Sequence, residues 1–333
     1  MNRQRKQYSL SVIIGVLLLI VIIIGCGIRF IGSAAFSDGG QTENAAGNEK
    51  RKTVTVDGKD YFPRQDITVI LAMGIDTLGE MTDSGSYNND GEADVVALIV
   101  FDEAEENFTI LNLNRDTMVE MDVLGIGGKK AGTAFQQLAL SHTYGSGLED
   151  SCEHTKDVVS RMLNDIYIDY YIAANMDAIA IGNDAVGGVK VTVLDDFSLV
   201  DENLPMGEVT LMGQQAVSYI RTRKDVSDQL NISRMERHKE YINGFMDSLA
   251  AKLEQGDMFI FELYENISPY MVSNCSATVL SSMADRYENY TLKEVVSPKG
   301  ENVLGEKFME FYLDEQDFQQ IILDIFYREK VTY

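Results

Sequence analysis

Residues 8–28 read YSLSVIIGVLLLIVIIIGCGI, without one charged side chain. A run of that length and character is long enough to cross the hydrocarbon core of a bilayer as one helix. Arg3, Arg5 and Lys6 precede it, so the positive-inside rule keeps residues 1–7 in the cytoplasm and sends everything after the run outside, in a single pass. Cleavage is the rival interpretation, because Ile23-Ile24-Gly25-Cys26 resembles a bacterial lipoprotein processing box with Cys26 as the lipidated residue. The run exceeds most signal-peptide cores, which favours an uncleaved anchor. Under either interpretation the bulk of the chain faces the exterior.

Residues 29–64 are rich in Gly, Ser, Ala, Asn and charge, show no apolar periodicity, and read as a flexible linker that holds a domain off the membrane. Residues 65–330 then form one exterior domain. A composition of 45% apolar and 24% charged residues is that of a globular chain. The formal net charge of -24 argues against a nucleic-acid partner, which needs a basic footprint to meet phosphates.

Against that acidity, residues 219–238 read YIRTRKDVSDQLNISRMERH. Arg221, Arg223, Lys224, Arg234, Arg237 and Lys239 face only Asp225, Asp228 and Glu236, and an acidic protein concentrates guanidinium forks where they meet an anion. Ser233-x-x-Glu236 reads as a capping box, with Met235, Ile242, Phe245 and Leu249 following at helical spacing. That predicts Arg234, Arg237 and His238 on the first turns of a helix, at its anion-binding end. Arg221 and Arg223 close a short apolar helix that begins at Gly213.

Upstream, residues 67–73 are an apolar strand ending in Gly74-Ile75-Asp76. Asp94 opens a second strand over 95–101, and a turn at 102–107 returns the chain through a third, 108–112, followed by Asn114-Arg115-Asp116-Thr117. Asp76, Asp94 and Arg115 all fall at strand ends, and antiparallel pairing puts Asp94 beside Arg115. Helices are expected at 134–144, 151–164 (with a Ser cap), 176–185, 277–286 and 316–327, and strands at 170–174, 290–296 and 308–313. Helices alternating with strands point to an α/β sandwich, and the short turns between neighbouring strands to a mixed sheet. Residues 166–171 read as core. His142, His154 and His238 lack metal spacing, and the first two read as helix-surface residues. Cys152 and Cys275 either pair or remain partly buried thiols.

Taken in order, the anchor, the linker, Asp76 after a strand, Asp94 before one, Asn-Arg115-Asp-Thr, Ile168-Asp-Tyr-Tyr171, Gly187-Gly-Val189, Tyr219-Ile-Arg221-Thr-Arg223 and Arg234-x-x-Arg237 resemble the LytR-CpsA-Psr (LCP) family. The resemblance implies an αβα sandwich and a phosphotransferase of the cell envelope. Such an enzyme moves a glycopolymer, teichoic acid or capsular polysaccharide, from an undecaprenyl-pyrophosphate carrier onto peptidoglycan, leaving a phosphodiester at the 6-hydroxyl of N-acetylmuramic acid. It also implies an apolar channel for the lipid, Mg²⁺ on Asp76 and Asp94, and a diphosphate clamp of Arg115, Arg221, Arg223 and Arg234, with His238 beside it. Three positions depart from the family pattern: Glu92 stands where an arginine is usual, Asn231 where an aspartate is, and His238 where a glutamine is. Asp225 or Asp228 could supply the missing carboxylate, and a histidine at 238 the base. The alternative is a chain that binds polyprenyl-linked or anionic envelope polymer without turning it over.

Overall fold

The structure is a computed structural model that describes residues 53–222, 258–275, 290–306 and 308–330, with single residues and short runs between 237 and 287. The anchor read at residues 8–28 lies outside them. Among the described residues no helix is long and apolar enough to cross a membrane.

The described chain opens with β1 (Val54–Val56) and β2 (Lys59–Pro63). It continues through β3 (Ile67–Ile75), β4 (Ala93–Asp102), β5 (Asn107–Leu113), β6 (Met118–Leu124) and β7 (Lys130–Gln137). Next come helix α1 (Glu149–Met162), β8 (Tyr170–Asn175), α2 (Met176–Ala185), β9 (Val189–Val193), β10 (Gly207–Leu211) and α3 (Gln214–Arg221). The last part holds α4 (Met258–Ile267), β11 (Met271–Ser273), β12 (Thr291–Val296), β13 (Gly300–Leu304), β14 (Met309–Leu313), α5 (Glu315–Phe326) and β15 (Tyr327–Glu329).

Six strands form the central sheet in the order β11-β8-β3-β4-β5-β12. β8 runs parallel to β3 and β12 parallel to β5, while the remaining neighbours are antiparallel, so the sheet is mixed as expected. Side chains along a strand alternate faces, and here both faces are apolar. Val69, Leu71, Met73, Val96, Leu98 and Val100 pack with Val158, Val159, Phe318 and Ile322 of α1 and α5. Ile70, Ala72, Ile99 and Phe101 point the other way, toward Ala178 of α2, Tyr219 of α3 and Leu263 of α4, and toward Tyr241 and Phe245. Helices therefore cover both faces, which is the αβα arrangement. Residues Ile166, Ile168 and Tyr171 sit in the first of these cores, as the sequence suggested.

Several expectations are corrected. The linker does not run to residue 64: β1 and β2 form a hairpin, and β2 also pairs with β15. Its turn is Asp57-Gly58, both with positive φ, the backbone that a two-residue hairpin demands. Residues 134–144 are not one α-helix, and only Leu138–Thr143 is helical. Residues 130–137 instead pair with β6 across a turn containing Gly127 and Gly128, both at positive φ, and a 3-10 segment, Leu138–Thr143, follows. Helix α1 starts two residues before the expected serine, and its N-cap Leu148 makes no side-chain bond. Cys152 and Cys275 are free thiols rather than a pair, Cys152 buried and Cys275 partly so.

Leu71 is fully buried in the middle of the sheet. Leu71→Ala is expected to destabilise the fold by about 2–5 kcal/mol, through lost apolar burial plus the cavity left behind. Urea denaturation of the full-length protein in detergent checks this, and a change within error would mean the sheet is not the load path of the fold.

Candidate functional site

Strands β3, β4 and β5 bring three of the predicted residues to one edge of the sheet. Because β3 and β5 each run antiparallel to β4, the C-terminal ends of β3 and β5 meet the N-terminal end of β4. Asp76 follows the first, Arg115 follows the second, and Asp94 stands at the third. Continuing the β4–β5 register two residues past Val96↔Leu113 sets Asp94 opposite Arg115, as antiparallel pairing predicted.

The β3–β4 ladder carries a register shift between Gly74 and Ile75. Such a bulge re-aims the side chains that follow it. Here it lets two backbone amides converge on one acceptor: Asp76 N–H and Asp94 N–H both donate to the Glu92 carbonyl, at 2.9 and 3.1 Å. The carboxylates of residues 76, 92 and 94 therefore spring from one compact knot of backbone.

Arg115 is held in a turn built by its neighbours. Asn114 Oδ1 accepts the Asp116 amide at 3.0 Å, and the Thr117 hydroxyl donates to the Asn114 carbonyl at 2.6 Å. The turn is tied down on two sides, since the Arg115 carbonyl accepts Ala139 N–H and the Asp116 carbonyl accepts Phe311 N–H, at 2.9 and 2.8 Å. From it the guanidinium reaches three acids: Nη1 contacts Asp94, Nη2 contacts Glu92, and Nε lies 3.4 Å from Asp116. Three carboxylates around one guanidinium leave the cluster anionic by two charges. Glu92, flagged as a departure, is thus a direct partner of Arg115, and Asp116 is a partner that sequence reasoning quoted only as part of a motif.

A second layer, which the sequence reading missed, fixes Glu92. Asn89 Oδ1 accepts the Gly91 amide at 2.7 Å, and Asn89 Nδ2 donates to the carbonyls of His142 and Gly145 and to Ser151 Oγ at 2.9–3.1 Å. The consecutive Asn88-Asn89-Asp90-Gly91 was its signal, being turn chemistry inside a long loop. His142, expected on a helix surface, is buried, and its Nδ1 lies 2.9 Å from the Gly91 carbonyl. A carbonyl only accepts, so Nδ1 carries the proton, and Nε2 faces Cys152 Sγ at 3.8 Å. His154, the other expected surface residue, is wedged between the carbonyls of Ser141 and Asp122, each 2.8 Å from a ring nitrogen.

The remaining predicted residues belong to the basic stretch. Arg221 closes α3, whose first residue, Gln214, donates to Asp177 at 3.1 Å; Asp177 also accepts the amide of Gly79, three residues beyond Asp76, at 2.7 Å. Helix α3 thus starts beside the loop that leaves Asp76. Arg223, Arg234, His238, Asn231 and the capping box at 233–236 lie outside the described residues, as does the Arg221 side chain. Arg237 is described, and it corrects an expectation: it is buried, ion-paired with Asp195 at 2.5 Å, and does not line an open helix end.

The sequence matches the LytR_cpsA_psr family over residues 30–321, and the chain belongs to that family. It is 25% identical over 301 residues to the polyisoprenyl-teichoic acid–peptidoglycan teichoic acid transferase TagU of Oceanobacillus iheyensis, covering 87% of this chain and 86% of that protein. With the corresponding transferase TagT of Bacillus subtilis it shares 27% over 264 residues, covering 74% of this chain and 73% of that one. Its fold superposes on the solved structure of TagT bound to LI-WTA with a TM-score of 0.57 at 20% identity, covering 88% of this chain and 97% of that one.

Burial holds the His142 imidazole below its ordinary value of 6.5, against the opposing pull of the Gly91 carbonyl. The folded state therefore takes up this proton only at lower pH than the unfolded chain does. The stability His142 contributes is complete above 6.5 and is lost as pH falls from there toward the folded value. The urea midpoint is expected to drop between about pH 7 and pH 5 more steeply in the natural protein than in His142→Gln. Parallel profiles would show that the buried ring does not couple to folding.

Proposed function

We propose that this chain transfers a glycopolymer of the teichoic acid or capsular type from an undecaprenyl-pyrophosphate carrier to peptidoglycan, forming a phosphodiester. The observation that carries the reading is Arg115, pinned by its turn at the sheet end with its fork turned toward Glu92 and Asp94 at the start of β4. Family membership and the names of the curated relatives support it.

The chemistry asks little of a protein beyond placement and cationic stabilisation. The acceptor hydroxyl oxygen attacks the phosphorus bonded to the glycan, and a new P–O bond forms. The P–O bond to the bridging oxygen breaks, its electron pair leaves with undecaprenyl phosphate, and the hydroxyl proton passes to a base. Arg115 suits the non-bridging oxygens, because two parallel N–H donors match two phosphate oxygens. Arg221, Arg223, Arg234 and His238 complete the clamp in this proposal.

Charge supplies the reason for a metal. A cluster of three carboxylates and one guanidinium repels a diphosphate unless a cation enters with it. Asp76 and Asp94, joined through the Glu92 carbonyl, suit Mg²⁺, a hard ion that takes one or two carboxylates and fills its shell with substrate phosphate oxygens. When bound, the ion would neutralise charge on the diphosphate. The proposal includes a single-pass anchor at residues 8–28 with this domain outside the cytoplasmic membrane, where carrier lipid and peptidoglycan are found.

One observation favours a second reading, binding without turnover: Glu92 already sits on the Arg115 fork, where an incoming phosphate would bond. Full-length protein in detergent with Mg²⁺ and a polyprenyl-diphosphate glycan is expected to release polyprenyl phosphate, detected by mass spectrometry. Arg115→Ala is expected to lower that rate by on the order of 100-fold or more. Tight donor binding with no turnover in the natural protein would discard transfer in favour of binding. A gain of turnover from nothing in Glu92→Arg/Asn231→Asp would then mark the chain as a decayed enzyme.

A further inference from the structure

Arg237 lies in the basic stretch but is 6% exposed. Its two terminal nitrogens go to different parts of the chain. Nη1 donates to Asp195 Oδ2 at 2.5 Å, in the segment after β9, and Nη2 donates to the Thr222 carbonyl at 2.6 Å. The guanidinium lies over the Phe197 ring, 5.3 Å from its centroid. Tyr219 of α3 stacks on that same ring at 5.7 Å. The Tyr219 hydroxyl donates to Glu240 at 3.4 Å, and the other Glu240 oxygen accepts Thr192 N–H at 2.6 Å.

Thr222 is the C-cap of α3 and stands between Arg221 and Arg223. The carbonyl that Arg237 grips therefore belongs to the one residue that separates the two arginines assigned to the diphosphate clamp. Stability alone explains this arrangement poorly. A buried ion pair is weak evidence for stabilisation, since well-packed apolar side chains do as well or better, and Arg237 Nε is buried without a hydrogen-bond partner among the described residues. What the fork does supply is geometry, because one planar group reaches two acceptors in fixed directions. A lysine carries its three donors on one nitrogen and cannot hold both acceptors at the spacing and directions that two guanidinium nitrogens set.

We propose that Arg237 is a positioning residue for the donor diphosphate: it fixes the backbone between Arg221 and Arg223 against the Asp195–Phe197 segment and never touches substrate itself. The inference rests on the transfer reading and deepens it. Arg237 is the buried guanidinium of the stretch, and its role is to hold backbone.

The test uses full-length protein in detergent, with Arg237→Lys, Arg237→Met and Asp195→Asn. In Arg237→Lys the KM for the polyprenyl-diphosphate donor is expected to rise at least ~10-fold, the scale of one charge-assisted hydrogen bond, while the acceptor KM and the melting temperature stay close to the natural values. Undecaprenyl pyrophosphate alone, titrated calorimetrically, is expected to weaken by the same factor. Asp195→Asn, which keeps the Thr222 contact, is expected to fall between. Should Arg237→Met fail to fold, the other two variants carry the comparison. Unchanged donor KM and affinity in Arg237→Lys would overturn the positioning role alone. So would donor and acceptor KM values that rise together in step with a lost melting temperature. A natural protein that neither binds undecaprenyl pyrophosphate nor turns over donor would remove the transfer reading, and this inference with it.

Discussion

Burial of both faces of β3 and β4 dictates where anything charged can stand. A carboxylate within either strand would lose its hydration to one core or the other, at a cost of several kcal/mol without a partner. Charged groups are therefore pushed to the strand ends. Because β3, β4 and β5 alternate in direction, the end of the first, the start of the second and the end of the third share an edge. The packing of the core and the assembly of the Asp76, Asp94 and Arg115 cluster are in this sense one event.

What turns that edge into a site is fixity of backbone. The bulge after Gly74 sets two amides on one carbonyl, the Asn114 turn is pinned from two directions, and the Asn89 and His142 layer holds the peptide before Glu92. Gly91 belongs to this layer for steric reasons. A Cβ there would lie 3.0 Å from Ile75 Cγ2 and 3.1 Å from Thr77 Cγ2, so a larger residue would press against the chain on either side of Asp76. Glu92 is the point of tension. Its carboxylate occupies the Arg115 fork, so an anion arriving there competes with Glu92 for one guanidinium.

Most of the central sheet could be read directly, since runs such as 67–73 and 95–101 are apolar at all but one position, Thr68, and lead to charged residues. Helices α2 and α5 lie close to the expected 176–185 and 316–327, while their Asn175 and Asp314 caps, whose side chains accept two amides each, went unread. The hairpins were harder. Residues 130–137 are exposed along much of their length and carry little alternation, so only pairing with β6 makes them a strand. β1 and β2 were hidden in a polar segment, although Asp57-Gly58 announced the turn. Their reason to order is β15, which lies more than 260 residues away in the chain.

The sequence by itself determined five of the six strands of the central sheet, the strand-end positions of Asp76, Asp94 and Arg115, and the crowding of arginines after residue 220. Those follow from local composition and period, which a chain displays without folding. Only the tertiary structure decided that Glu92 and Asp116 share Arg115, that His142 is interior and His154 half-buried between two carbonyls, that Cys152 and Cys275 stay apart, and that Arg237 is buried on Asp195. Each of these is set by groups distant in sequence that meet through packing, and a charged or polar side chain looks the same in a sequence whether it ends in water or against a partner.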